Sequence, residues 1–487
     1  MADIRLRAHV SDAELRGRRL QDWLLHPLFW LGVALLAGLY VGMHMTALGP
    51  RYSKLVIGVV FLIVLFRFRP HVGVGLMLVL YAFPARIWIG DTNFIFTIFV
   101  LIAWLVRVAM RQEPAPRGTY LDWAVLAYVF VHILSLVNVE DQFVMGKSLL
   151  ALRHLFVPIL FYFVMVNVGR SERRLVFFAE MFTISMVIVF FAAFAERFFP
   201  QVRFLPSWML TAFGSQDIFA EGGKGRVGGL FTHAMLGDAT AIAFIVQIYL
   251  AIRYRHKPWA RAYHWLLALV ALYVVSLTRN RGSLLVLMAG SAYFLFIFNR
   301  ELNWRRVLMG TIVGLALLYF GEVTLARFEG DIGLLGRLAG TYFERGIPDT
   351  RVGVWTGIWS FLVERPILGH GPYFSLRYGP LGLSVHWPHN TFLFYWFTTG
   401  ILGLIAFVVI VLRVFKRTWV GRGLDVCRTP LSRGLTAVFH IAAVQFMLGQ
   451  LRSDHQRGDV FVFLMWIIFA FGVMARQVWE ERKRATA

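Results

Sequence analysis

Residues 390–412, NTFLFYWFTTGILGLIAFVVIVL, pass from an asparagine to a leucine without one charged side chain, and Arg413 ends the run. At about 1.5 Å per helical residue the stretch reaches about 35 Å, enough to cross the roughly 30 Å hydrocarbon core of a bilayer. A strand in a soluble sheet is usually only about five or six residues long. Comparable runs recur near 29–49, 53–66, 71–89, 93–109, 120–138, 149–168, 175–196, 228–251, 263–278, 283–299, 306–321, 434–449 and 460–475, which makes fourteen candidate spans, or twelve to thirteen if a short pair is re-entrant or two merge. Composition agrees: 58% of the 487 residues are hydrophobic, 45 are Phe and 16 are Trp, and only 16% are charged, against roughly 25% in a soluble domain. The expected fold is all-α, a polytopic integral membrane protein, and a soluble α/β enzyme is excluded by the length of the apolar runs.

A net charge of +22 would suggest nucleic acid in a soluble protein. In a membrane protein, basic residues hold connecting loops on the cytoplasmic face. With the amino terminus inside and fourteen spans alternating, the inside segments carry Arg16, Arg18 and Arg19, Arg67 and Arg69, Arg107, Arg111 and Arg117, Arg173 and Arg174, Arg253 and Lys257, Arg305 and Arg306, Arg413, Lys416 and Arg417, and Arg482, Lys483 and Arg484; in all, the inside segments hold well over half of the 49 Lys and Arg residues. The outer turns at 90–93 (GDTN) and 138–142 (NVEDQ) carry none. Both termini are therefore expected on the cytoplasmic side, behind a basic tail at 1–28 that shows no cleavable signal, and no nucleic acid is expected as a partner. The single cysteine, Cys427, rules out an internal disulfide. Two connections, about 197–227 and 322–389, are long and fall on the outer face, where loops of such length usually serve a function.

Basic residues on that outer face are not explained by topology. Arg226 stands in GRVGGLF just before the span at 228–251, Arg279 and Arg281 in the short turn SLTRNRGS, and Arg351 in DTRVGVW at the start of an amphipathic helix over 351–363. A guanidinium near hydrocarbon must snorkel or find an anion, and its planar fork suits phosphate oxygens. Each could instead bind a carboxylate or a lipid headgroup; converging in one outer cavity, they would form a site for an anion such as pyrophosphate. His389 opens the span at 390–412, with Pro388 before it and Asn390 and Thr391 placed to cap the helix. A histidine there has the pKa range for proton abstraction from an alcohol, although an interfacial anchor is the commoner use. His370 and His386 share the long loop and could line a site, and His233 could touch a sugar. Asp238 is an intramembrane carboxylate that needs a polar cavity or a basic partner. A local salt bridge is expected for Asp454 and Arg457, and hydrogen-bonded burial for His154 and His440. There is no metal-ligand motif, P-loop or dinucleotide fingerprint. A transporter would be expected to show an inverted repeat and broken helices near mid-membrane, and the sequence shows neither plainly, its unusual residues clustering at the outer boundary instead.

In layout and short motifs the chain resembles the superfamily of O-antigen ligases and Wzy-type polymerases of the bacterial inner membrane. The resemblance rests on GRVGGLFTHAMLGD (225–238), SLTRNRGSLLVL (276–287), and DTRVGVWTGIWSFLVERPILGHGPYF (349–374) followed by HNTFLFYWFTTGILGLIAF (389–407). It covers about 225–415 well, with loop 322–389 as a partly helical periplasmic segment; 29–224 match only as a string of spans, and 416–487 hold the last spans and a basic tail. One departure is Asn280, where serine is commoner. The resemblance implies a glycosyltransferase whose donor is a glycan on undecaprenyl pyrophosphate and whose acceptor is a sugar hydroxyl on lipid A–core or on another lipid-linked chain. It further implies Arg226, Arg281 and Arg351 on the pyrophosphate, His389 as general base, and no cofactor or metal. Arg279, His233, Trp355, His370, His386 and Asn390 would contact substrate, and Glu364 and Arg365 would hold the loop in shape. Ligase, polymerase and protein O-oligosaccharyltransferase remain alternatives within this chemistry; a polysaccharide or lipid transporter is the rival from another class.

Overall fold

The computed structural model describes residues 69–82, 86–87, 90–198, 227, 230–231, 233–299, 314, 316, 319, 323, 350–373, 388–452 and 459–486. The chain divides into two compact units, Met1–Gly73 and Val74–Ala487. In the first, only 69–73 are described, so the spans expected at 29–49 and 53–66 lie outside the described residues, as does nearly all of that at 306–321.

The second unit is helical. In chain order it contains α1 (Pro70–Leu80, which begins in the first unit), a two-rung antiparallel pair β1 (Arg86–Ile87) and β2 (Gly90–Asp91), α2 (Thr92–Ala109), α3 (Asp122–Leu134) running into a 3-10 turn (Ser135–Asn138), α4 (Gln142–Val168), α5 (Glu172–Phe198), α6 (His233–Arg253), α7 (Pro258–Thr278), α8 (Arg281–Ile297), α9 (Thr350–Glu364), α10 (Thr391–Thr418), α11 (Leu431–Gln450) and α12 (Asp459–Thr486). Among the described residues, seven helices are long and apolar enough to cross a bilayer: α4, α5, α6, α7, α10, α11 and α12. The protein is a polytopic, all-α membrane protein.

Its core is formed by α6, α11 and α12. Every residue from 460 to 475 on α12 is buried, and α12 packs on α11 and α4, while α6 packs on α7, α8 and α11. Helices apolar on all sides lie either in the core of a large protein or in a membrane, and lipid is the solvent that fits their length. The outward faces show the same solvent: Trp123, Leu126, Phe130 and Ile133 make an exposed stripe along α3, and Leu402, Ile405 and Leu412 another on α10. Inside, polar side chains bridge helices, as expected where no water can satisfy them. Gln445 donates from Nε2 to the carbonyls of Ala241 and Val286, both at 3.2 Å. His440, read above as a buried hydrogen-bonding residue, is buried between the Tyr293 hydroxyl (2.9 Å) and the Thr418 hydroxyl (2.8 Å).

At one end of the bundle Arg253 on α6 donates to the carbonyls of Val426, Cys427 and Thr429 in the α10–α11 loop. There too Arg174 pairs with Glu113 at 3.0 Å, Arg482 with Glu172 at 2.9 Å, and Arg117 with Glu481. This basic end gathers the described loops that the charge pattern had grouped on one face.

Two elements depart from the sequence reading: the helix in the span expected at 71–89 ends at Leu80, ahead of the β1–β2 pair, and α10 is interrupted. α10 is broken: Gly400 has φ 69° and ψ −173°, about 14 Å along the helix from Thr391. Backbone freed by the break is taken up by residues 366–371. Ile401 N donates to Pro366 O at 2.8 Å, Leu402 N to Ile367 O at 3.4 Å, His370 N to Phe397 O at 3.0 Å and Gly371 N to Thr398 O at 2.9 Å. Non-helical backbone survives at membrane depth where protein covers it, as here, or where it lines a water-filled cavity. The P-I-L-G-H-G and G-I-L-G motifs are thus two halves of one joint. A Cβ at Gly400 would collide with the Ile367 carbonyl, and one at Gly369 with the Thr398 backbone. Gly400→Ala is expected to cost well over the ~1–2 kcal/mol of a left-handed L-residue and to leave little monodisperse protein by size-exclusion chromatography in detergent; a wild-type yield and profile would contradict the joint.

Candidate functional site

At the end of the bundle opposite the basic loops, α7 and α8 meet in a turn of two residues. Arg279 closes α7 in the left-handed conformation, φ 50°, and is buried at 4% exposure. Asn280 then caps α8, its Oδ1 accepting from Gly282 N (3.0 Å) and Ser283 N (3.4 Å), so that Arg281 is the first residue of the helix. A serine could cap as well, but the asparagine oxygen also accepts from Arg452 Nη1 at 2.8 Å. That bond from Arg452 gives Asn280 a use beyond the cap, where the resemblance leads one to expect serine.

The start of α10 is built in the same manner. Asn390 caps it, accepting from Phe392 N (2.9 Å) and Leu393 N (3.1 Å), as the sequence suggested. Its Nδ2 donates to the carbonyl of Leu451 at 2.9 Å, and the Thr391 hydroxyl donates to Gln450 Oε1 at 2.7 Å. His389, just before the cap, is partly exposed and has φ 51°. Of the three described non-glycine residues with positive φ, Arg279 and His389 are two. Positive φ costs an L-residue on the order of 1–2 kcal/mol, and such strain tends to collect at functional sites.

The end of α11 joins these pieces. Leu451 holds Asn390, beside His389, and Arg452 holds Asn280, between Arg279 and Arg281. On the other flank, Trp355 Nε1 donates to the Pro388 carbonyl at 2.9 Å, docking α9 beside His389. Arg351 lies one turn before Trp355 on the α9 backbone. The inner face of α9, with Val354, Ile358, Phe361 and Leu362, is packed on Phe397 of α10. Val227 N donates to Leu277 O at 3.3 Å, which sets the chain next to Arg226 against the end of α7, and His233 is the first residue of α6. Arg226 itself and His386 lie outside the described residues, as do Asp454 and Arg457.

Two residues have narrower surroundings than the sequence suggested. His370 is buried, its Nε2 held at 2.9 Å from the Phe361 carbonyl and its ring against Phe397, inside the α10 joint. Both polar ends of the Asn390 side chain are engaged in the cap and on Leu451. Arg365 bonds the Asn138 carbonyl and pairs with Glu140 at 2.7 Å, so it does hold the loop, against the turn after α3.

Sequence reasoning missed Arg452. It singled out Asp238 as needing a base but not its partner: Arg452 forms the ion pair with Asp238, which is 1% exposed. The signal was available, since Arg452 follows the apolar run of α11 at an end where the positive-inside rule leaves a cation unexplained.

Residues 238–408 match the family described as O-antigen ligase. The matched segment contains Asn280, Arg281, Arg351 and His389, and it begins at Asp238. A comparison with curated proteins gives no match. A polytopic bundle with this match supports a glycosyltransferase-like role of the O-antigen ligase and polymerase kind.

Proposed function

We propose that the protein transfers a glycan from undecaprenyl pyrophosphate to a sugar hydroxyl, as an O-antigen ligase does, at the periplasmic face of the bacterial inner membrane. The observation that carries the reading is the pair of bonds from consecutive α11-end residues, Leu451 to the His389 segment and Arg452 to the Arg279 and Arg281 turn. They support the reading by tying the His389 segment and the Arg279 and Arg281 turn to the same helix end, opposite the basic loops, where the histidine would accept the proton.

In this mechanism His389 takes the proton of the acceptor hydroxyl as its oxygen bonds to the anomeric carbon. The bond from that carbon to the phosphate oxygen breaks, and the lipid pyrophosphate leaves with the electron pair. Arg281, Arg351 and Arg226 stabilise the charge that builds on it, the kind of preorganised field that usually dominates such catalysis. Arg279 adds positive charge behind the turn, and His233, Trp355 and His386 flank the donor and acceptor sugars. His370 and Asn390 serve as pins for α10. A single displacement inverts the anomeric carbon. The arginines supply the positive field without a metal, so transfer by the purified protein is expected to keep its rate in excess chelator; loss of activity, restored by a divalent cation, would remove that part of the reading.

The acceptor is lipid A–core in the ligase reading; the polymerase alternative would use another lipid-linked chain. A deletion strain separates them: lipid-linked chains accumulating with bare lipid A–core means ligase, and loss of long chains with single units remaining means polymerase. Unchanged surface and lipid-linked glycans would count against both. A transporter would share the broken helix seen in α10, but residues 366–371 fill the break.

A further inference from the structure

The ion pair of Asp238 and Arg452 takes no step in the reaction proposed above, yet three helix ends are shaped around it. Arg452 Nη2 bonds Asp238 Oδ1 and lies 3.0 Å from the Ser283 hydroxyl, which itself donates to Asp238 Oδ1 at 2.8 Å; Nη1 donates to Asn280 Oδ1 at 2.8 Å. One guanidinium therefore reaches α6, the α8 cap and the first turn of α8 from the end of α11. Glycines leave the room for it. A Cβ on Gly282 would run into the Arg452 guanidinium, one on Gly449 into Asp238 Oδ2, and one on Gly237 into the Ser283 hydroxyl. A buried ion pair adds little net stability against an apolar replacement, and its best-attested use is to fix a register. Here the register is that of the turn carrying Arg279 and Arg281.

We infer that Arg452, braced by Asp238, is a positioning residue: it orients the Arg279 and Arg281 turn toward the donor pyrophosphate by holding Asn280. The inference rests on the glycan-transfer reading. A lysine at 452 keeps the charge for Asp238 but has no planar fork to serve Asn280 at the same time. A serine at 280 keeps the α8 cap and the ion pair but cannot meet Arg452.

The test is a kinetic cycle on the purified full chain with undecaprenyl-pyrophosphate-linked glycan as donor, alongside the Kd for undecaprenyl pyrophosphate in micelles. R452K and N280S are each expected to raise the donor KM and that Kd about tenfold, equivalent to about 1.4 kcal/mol, with the acceptor KM unchanged. The double variant is expected to be no worse than R452K alone, since both remove one contact. A purely structural role would lower the active fraction and leave both KM values alone. Donor KM and Kd at the wild-type level in N280S, or single effects that multiply in the double variant, overturn the inference; should R452K fail to fold, N280S alone decides. Wild-type protein that neither transfers glycan nor binds undecaprenyl pyrophosphate overturns the functional reading, and this inference with it.

Discussion

Replacing His389 is expected to lower glycan transfer by about 10² to 10⁴, the usual worth of a positioned general base, with folded protein near the wild-type amount. The structure indicates which variant to make. His389 has φ 51°, a conformation that alanine tolerates poorly and asparagine tolerates well. His389→Asn therefore keeps the backbone bend into α10 while removing the imidazole, whereas His389→Ala adds on the order of 1–2 kcal/mol of strain to any loss of chemistry. The cap itself is made by Asn390, so neither change unpins the helix. The check is initial transfer rate normalised to monodisperse protein: a His389→Asn rate within a few-fold of wild type would remove the base assignment.

Arg281→Lys is the second large effect, an expected loss of about 10² to 10³ in kcat, comparable to removing one donor from a preorganised anion site. Arg281 is the first residue of α8, where the helix amides already favour negative charge, and its fork can hold two phosphate oxygens where an ammonium holds one. The lysine variant should fold normally, because the Asn280 cap and the Arg452 contacts do not involve the 281 side chain. Full turnover in Arg281→Lys would show that the donor is not clamped at this turn.

How far the sequence could be read depended on how local the cause was. Spans such as α10 and α12 were legible because long apolar runs have one stable state in lipid, and the Asn390 cap because a capping residue sits beside the helix it starts. The break at Gly400 was not legible, since its cause lies in another segment: glycine in a span is unremarkable until the Pro366 and Ile367 carbonyls are seen to replace its lost partners. Arg452 was missed for the same reason, 214 residues from Asp238 in sequence. For Arg281 and His389, residue type and chain position singled them out, while their common end of the bundle depends on the bonds from Asn390 to Leu451 and from Arg452 to Asn280, long-range contacts that no local pattern marks.

The most direct measurement is transfer in vesicles containing only the purified chain, undecaprenyl-pyrophosphate-linked glycan and a lipid A–core acceptor. The account predicts free undecaprenyl pyrophosphate released one for one with glycan joined to the acceptor, and both products formed at least about 10²-fold more slowly with His389→Asn or Arg281→Lys. Release and transfer by those two variants at the wild-type rate would contradict it.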